Sequence, residues 1–129
     1  MFVDTNILVR HLTGDPPDQA ARVGAYLANA EGLLLPDLIV AEVVYVLESV
    51  YRAPRELIAQ GLRAVVTFPR IRTIDRELLL RAIEVYEYDR LDFAEAYLVA
   101  SAERSGIGVI LSFDRSIDRL PTVRRIEPD

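Results

Sequence analysis

Residues 33–50, LLLPDLIVAEVVYVLESV, decide the architecture of this chain. Leu33-Leu34-Leu35 is a short run with no polar residue, which reads as a strand covered on both faces. Pro36 interrupts it, and Asp37 stands where a helix N-cap belongs. Residues 38–50 then repeat apolar side chains at helical spacing. Outward from this stretch the same alternation recurs in both directions. Residues 1–3, 71–74, 109–111 and 123–126 read as further strands. Residues 5–12, 17–29, 55–67, 76–88 and 93–105 read as helices. Asp75 marks a second strand-to-helix junction, and Gly106 closes the last long helix as a C′ glycine does. Strands alternating with helices predict an α/β fold: a three-layer α/β/α domain with a central, mainly parallel sheet. At 129 residues the expectation is one domain over residues 1–129, with a single core.

Composition narrows the chemistry. The chain has no cysteine, which removes disulfides, thiolate nucleophiles and thiolate zinc sites together. His11 is the only histidine, so no multi-histidine cluster exists. Hydrophobic content is 51% and charged content 27%, the balance of a globular protein. No apolar run approaches the roughly 20 residues that span a bilayer. No basic segment precedes the first apolar residues, so the expectation is a cytoplasmic protein without a cleaved signal. All 15 basic residues are arginine, whose planar fork suits phosphate. The net charge of −5 argues mildly against a general nucleic-acid binder. Catalysis here must come from carboxylates, hydroxyls and arginine.

The acids are placed for it. In parallel sheets, sites form outside the carboxyl ends of strands, which singles out Asp4 and Asp114. Glu42 has Leu38, Ile39, Tyr45 and Val46 as helical neighbours, so it reads as projecting from an apolar face. A carboxylate buried there needs a partner, a proton or a cation. Asp92 and Glu95 are spaced i, i+3 at a helix start and resemble a capping box, a purely structural device. Yet Ala96, Leu98, Val99, Ala100 and Ala102 follow, so that helix packs deep and can carry Glu95 inward. Asp118, four residues after Asp114, reads as a solvent-facing acid near Arg115 or Arg119. Carboxylates gathered with no lysine among them repel, and a hard divalent cation such as Mg²⁺ resolves that repulsion. Such a site serves phosphoryl transfer.

Four segments together resemble a known family, the PIN-domain ribonucleases of the VapC toxin type. "VDTNIL" resembles its opening strand and Asp-Thr-Asn motif, "PDLIVAEVVYVL" the helix with its second acid, "DFAEAYLVASA" the helix with its third, and "ILSFDRSI" the strand end with its fourth. The resemblance implies a metal-dependent endoribonuclease using Mg²⁺, with Mn²⁺ as a possible alternative, at Asp4, Glu42, Asp92, Glu95 and Asp114. Asp4 and the Asp92/Glu95 pair would hold the metal, while Glu42 and Asp114 complete the acidic pocket. Thr5, Asn6 and Ser112 would support the carboxylates by hydrogen bonding. It further implies an RNA substrate, a small cognate antitoxin protein and a homodimer. One position departs from the pattern: the family's third acid is usually aspartate, and Glu95 stands there, with Asp92 one turn earlier. Either can supply that ligand. The departure also motivates a second reading, a PIN-like module without catalysis that binds a protein or RNA. A phosphatase of the haloacid-dehalogenase type needs an aspartate two residues after Asp4, where Asn6 stands. For the homodimer, residues 56–68 offer Leu57, Ile58, Leu62, Val65 and Val66 as a stripe wide enough to extend beyond the core.

Overall fold

In the computed structural model, which describes residues 1–129, some helices are bounded by a capping side chain and a glycine, and others begin after a proline. Helix α1 (Thr5–Thr13) begins at Asp4, whose backbone is extended and whose carboxylate accepts the Thr5 amide. It ends at Gly14, in the left-handed region at φ 72°. Helix α2 (Pro17–Asn29) has proline in its first turn, where the missing N–H costs nothing.

The chain divides into two compact units, Met1–Arg76 and Glu77–Asp129. In the first, β1 (Leu33–Leu34) pairs in parallel with β2 (Ile71–Arg72), Leu33 opposite Ile71. On its other side β1 takes the N-terminal segment, with the Val3 amide bonded to the Leu34 carbonyl at 2.9 Å and the Leu34 amide to the Met1 carbonyl at 2.8 Å. Phe2 and Leu34 form a parallel bridge there. Helices α3 (Asp37–Ser49) and α4 (Arg55–Val66) complete the unit. α1 packs on α2 and α3, α3 on α4, and α4 on β2. Gly61 lies inside α4 where a Cβ would come within 3.1 Å of Leu12 Cδ2. A bare backbone there gives Leu12 its room.

In the second unit, α5 (Arg76–Glu84), which starts at the last residue of the first unit, runs into one π turn (Val85–Asp89), which Arg90 closes at φ 60°. Helix α6 (Phe93–Ser105) packs on that turn and on β3 (Val109–Leu111). After a 3₁₀ turn (Arg115–Arg119), β4 (Arg124–Ile126) pairs in parallel with β3, Ile110 opposite Arg125. Tyr86 is fully buried, its ring 6.0 Å from that of Phe93 at 70°, an edge-to-face contact. Arg81 ties α5 to α6, bonding Glu103 at 2.8 and 3.0 Å and Glu84 at 2.7 Å. Arg119 donates to the carbonyls of Asp89 and Arg90, capping the π turn.

The parallel pairs and the strand–helix alternation bear out the α/β reading. Several local expectations are corrected. The apolar runs are not covered on both faces: Leu34, Val109 and Leu111 are exposed while Leu33, Leu35 and Ile110 are buried. Strand pairing stops at Arg72, and Ile74 is 91% exposed. Asp37 is the first residue of α3, with Pro36 at the cap position. The single helix expected over 76–88 changes to π geometry after Glu84. Of the α4 stripe, Ile58, Leu62, Val65 and Val66 are core, and Leu57 is its exposed member. No helix is long and apolar enough to cross a membrane.

Candidate active site

Asp4 leaves the N-terminal segment and opens α1, so one residue serves both as strand-end acid and as helix cap. Its Oδ1 accepts the Thr5 amide at 2.7 Å. Asp4 and Glu42 line the same cavity, of about 380 Å³, together with Thr5, Asn6, Arg10, Asp15 and Tyr51 among others. Glu42 is exposed rather than buried. The reason is the rotation of α3: Val40, Val43, Val44 and Leu47 face the core, whereas Leu38 and Tyr45 are 77% and 69% exposed. Glu42 therefore needs no buried partner, and it reaches the cavity from the outer side of its helix. Thr5 is 6% exposed, yet its hydroxyl has no hydrogen-bond partner. A buried polar atom without a partner is uncommon and asks for a ligand or water. The Tyr51 hydroxyl donates to Asp15 Oδ2 at 2.9 Å on the same wall.

The second unit holds the other acids. Asp92 caps α6, accepting the Glu95 amide at 2.9 Å, as half of a capping box. Glu95 is half-buried, its carboxyl hydrogen-bonded to Asp114 and close to Asp92. The hydrogen bond to Asp114, then loss of solvent, then the Asp92 charge push Glu95 up to about 7. Hydrogen bonds from Glu95 and Ser116 hold Asp114 down at about 2. The pair thus keeps one proton near neutral pH, resident on Glu95.

The supporting residues bond mainly through the backbone. Thr5 reaches Asp4 through its backbone amide, Asn6 gives its carbonyl to Arg10 at 3.2 Å, and the Ser112 hydroxyl takes the Asp114 amide at 2.9 Å. Asp114 and Glu95 are also served by Ser116, whose amide bonds Asp114 Oδ1 at 2.8 Å and whose hydroxyl lies 3.4 Å from Glu95 Oε2. Its position two residues after Asp114 is the spacing of an Asx turn, a signal that was there to read. Asp118 faces solvent as expected, and its ion-pair partner is Arg125 rather than Arg115 or Arg119. Arg125 on β4 grips its carboxylate with two bonds of 3.0 Å and donates to the Ser112 carbonyl at 2.9 Å. That guanidinium pins the segment carrying Asp114.

These residues fit a hard divalent cation. Every candidate donor is an oxygen, the ligand type Mg²⁺ takes, and the unpartnered Thr5 hydroxyl is one an ion's water shell would satisfy. Within neither unit do three His, Asp or Glu side chains close into a ready-made ion cage. The chain is a member of the PIN domain family, whose model matches residues 1–123. PIN domains are generally nuclease modules dependent on a divalent metal. No curated protein matches the chain.

Proposed function

We propose that this chain is a Mg²⁺- or Mn²⁺-dependent endoribonuclease acting as the toxin of a toxin–antitoxin pair. The observation that carries the nuclease reading is the PIN family match over residues 1–123, and the crowding of Glu95, Asp114 and Asp92 at the head of α6 supports it. Such crowding is tolerable where a cation replaces the proton. Asp4 and the Asp92/Glu95 pair are the proposed main ligands, with Glu42 and Asp114 completing the acidic set. A bound divalent ion supplies charge neutralisation and Lewis-acid stabilisation at phosphate. The protein's own part is positional. The Thr5 amide fixes the Asp4 carboxylate, Ser116 aims Asp114, and Glu95 gives up its proton as the site charges. The non-catalytic alternative rested on the extra methylene of Glu95, and that side chain reaches Asp114 all the same.

The test is direct. Purified protein incubated with RNA and with DNA of the same sequence should cut RNA internally with Mg²⁺ or Mn²⁺ and not with EDTA. Cutting that EDTA leaves intact, or no cutting with either metal, overturns the reading. The toxin role, an antitoxin covering the acids, a homodimer and a cytoplasmic location rest on the motif resemblance. Growth arrest on expression, relieved by a small neighbouring gene product, and a dimer mass in sedimentation are the results they require.

The proton on Glu95 sets a pH dependence. Its folded value of about 7 lies above the ordinary 4.5, so the stabilising contribution of the protonated pair is full below about 4.5. It is lost as pH rises through about 7. Metal-free protein should therefore melt at lower temperature at pH 8 than at pH 5.5 on this account. Metal uptake must displace the proton, so cleavage should rise roughly tenfold or more from pH 5.5 to 8. A flat profile over that range counts against Glu95 as ligand.

Arg125→Met keeps the aliphatic stem and removes the bonds to Ser112 and Asp118. We expect cleavage to drop about tenfold through a looser Asp114 segment, with unchanged RNA binding. Equal losses in binding and in cleavage would point to general unfolding instead.

A further inference from the structure

A second cavity, of about 500 Å³, opens between α1 and α2 and has no acid among its lining residues. Asn6, Ile7 and Arg10 of α1 form one wall; Gln19, Arg22, Val23 and Tyr26 of α2 form the other. Gln19, Arg22 and Tyr26 follow one another at i, i+3 and i+7, so a single helix face presents an amide, a cation and a ring. Arg22 makes no ion pair. Arg10 bonds only the neutral Gln19 side chain and the Asn6 carbonyl. Two guanidinium groups facing one cavity without a carboxylate stand out in a chain of net charge −5. Tyr26 is 54% exposed, its hydroxyl 3.3 Å from Met1 Sδ, so its ring is open to a ligand. Asn6 and Arg10 also line the Asp4–Glu42 cavity, so the two hollows share a wall.

We propose that the α1–α2 cavity is a nucleotide subsite for single-stranded RNA, with Arg22 and Arg10 on a backbone phosphate and Tyr26 stacked on a base. Unpaired guanidinium forks suit phosphate oxygens, and an accessible ring suits any base face. Continuity with the acidic cavity at Asn6 and Arg10 directs a strand held here toward Asp4. The inference rests on the nuclease reading, because that reading makes RNA the ligand. Had the ligand been an acidic peptide, the cations would serve equally, but the open ring favours a base.

The experiment is fluorescence anisotropy of a labelled single-stranded RNA oligonucleotide in EDTA, where binding proceeds without cleavage. Arg22→Ala should weaken binding about tenfold and lower the slope of log affinity against log salt by about one. Tyr26→Ala should weaken binding about tenfold with the salt slope unchanged, and Tyr26→Phe should restore it. Circular dichroism should show all three folded. Wild-type binding that none of the variants alters overturns the subsite and leaves the nuclease reading standing. A poly-glutamate peptide whose binding Arg22→Ala abolishes, with RNA binding intact, also overturns it. Wild-type protein that binds no RNA removes both.

Discussion

Glu95→Gln is expected to abolish metal-dependent RNA cleavage, by at least about 100-fold, in a protein that folds as well as the parent. The substitution removes a charge and almost no volume. It also removes the crowding that pushes Glu95 up to about 7 through its hydrogen bond to Asp114, so at pH 8 the metal-free variant should melt no lower than wild type. Asp92→Asn is the paired control. Asp92 holds the Glu95 amide at 2.9 Å, and asparagine caps about as well as aspartate, so α6 should keep its start. If Asp92 is only a cap, this variant keeps nearly full activity; if it shares the ligand role, both variants lose cleavage. Full activity in both would end the case for metal chemistry at the head of α6.

Tyr86→Ala should give the largest loss of stability, about 4 kcal/mol by the range for deleting a buried aromatic side chain. Tyr86 heads the fully buried side chains by volume and lies in the π turn, its ring edge-to-face with Phe93 at the start of α6. The cavity would open at the junction of the π turn and α6. Against a typical stability of about 5 to 15 kcal/mol, that loss should lower the urea midpoint sharply. A change under about 1.5 kcal/mol would mean that the ring is not packed as described.

Helices with a clear start and stop are legible to the residue. Pro17–Asn29 and Phe93–Ser105 run as their spacing predicts, one opened by proline and the other bounded by Asp92 and Gly106. Strand ends are less so, since pairing depends on a partner that the segment itself does not name. Residues 71–74 stop pairing after Arg72, and residues 1–3 reduce to one bridge at Phe2. The acids at strand ends and helix starts were visible from position alone. Their surroundings were not. Apolar neighbours around Glu42 suggested burial, but residue type does not say which side of α3 turns inward, and Leu38 and Tyr45 turn outward. Asp118 finds Arg125 because β4 runs beside β3, and Tyr51 finds Asp15 across 36 positions. Such meetings are made by the fold.

Gly61 links two properties that are usually adjusted separately. A glycine in mid-helix costs about 1 kcal/mol against alanine, so it is a natural first choice for anyone hardening this protein. The added methyl would meet Leu12 Cδ2 at 3.1 Å, so that side chain must give by a few tenths of an ångström, and whether it can decides the sign of the substitution. Leu12 belongs to α1, with Asp4 at its head and Arg10 midway along it. The helix propensity of α4 and the packing of α1 are therefore traded at one missing methyl.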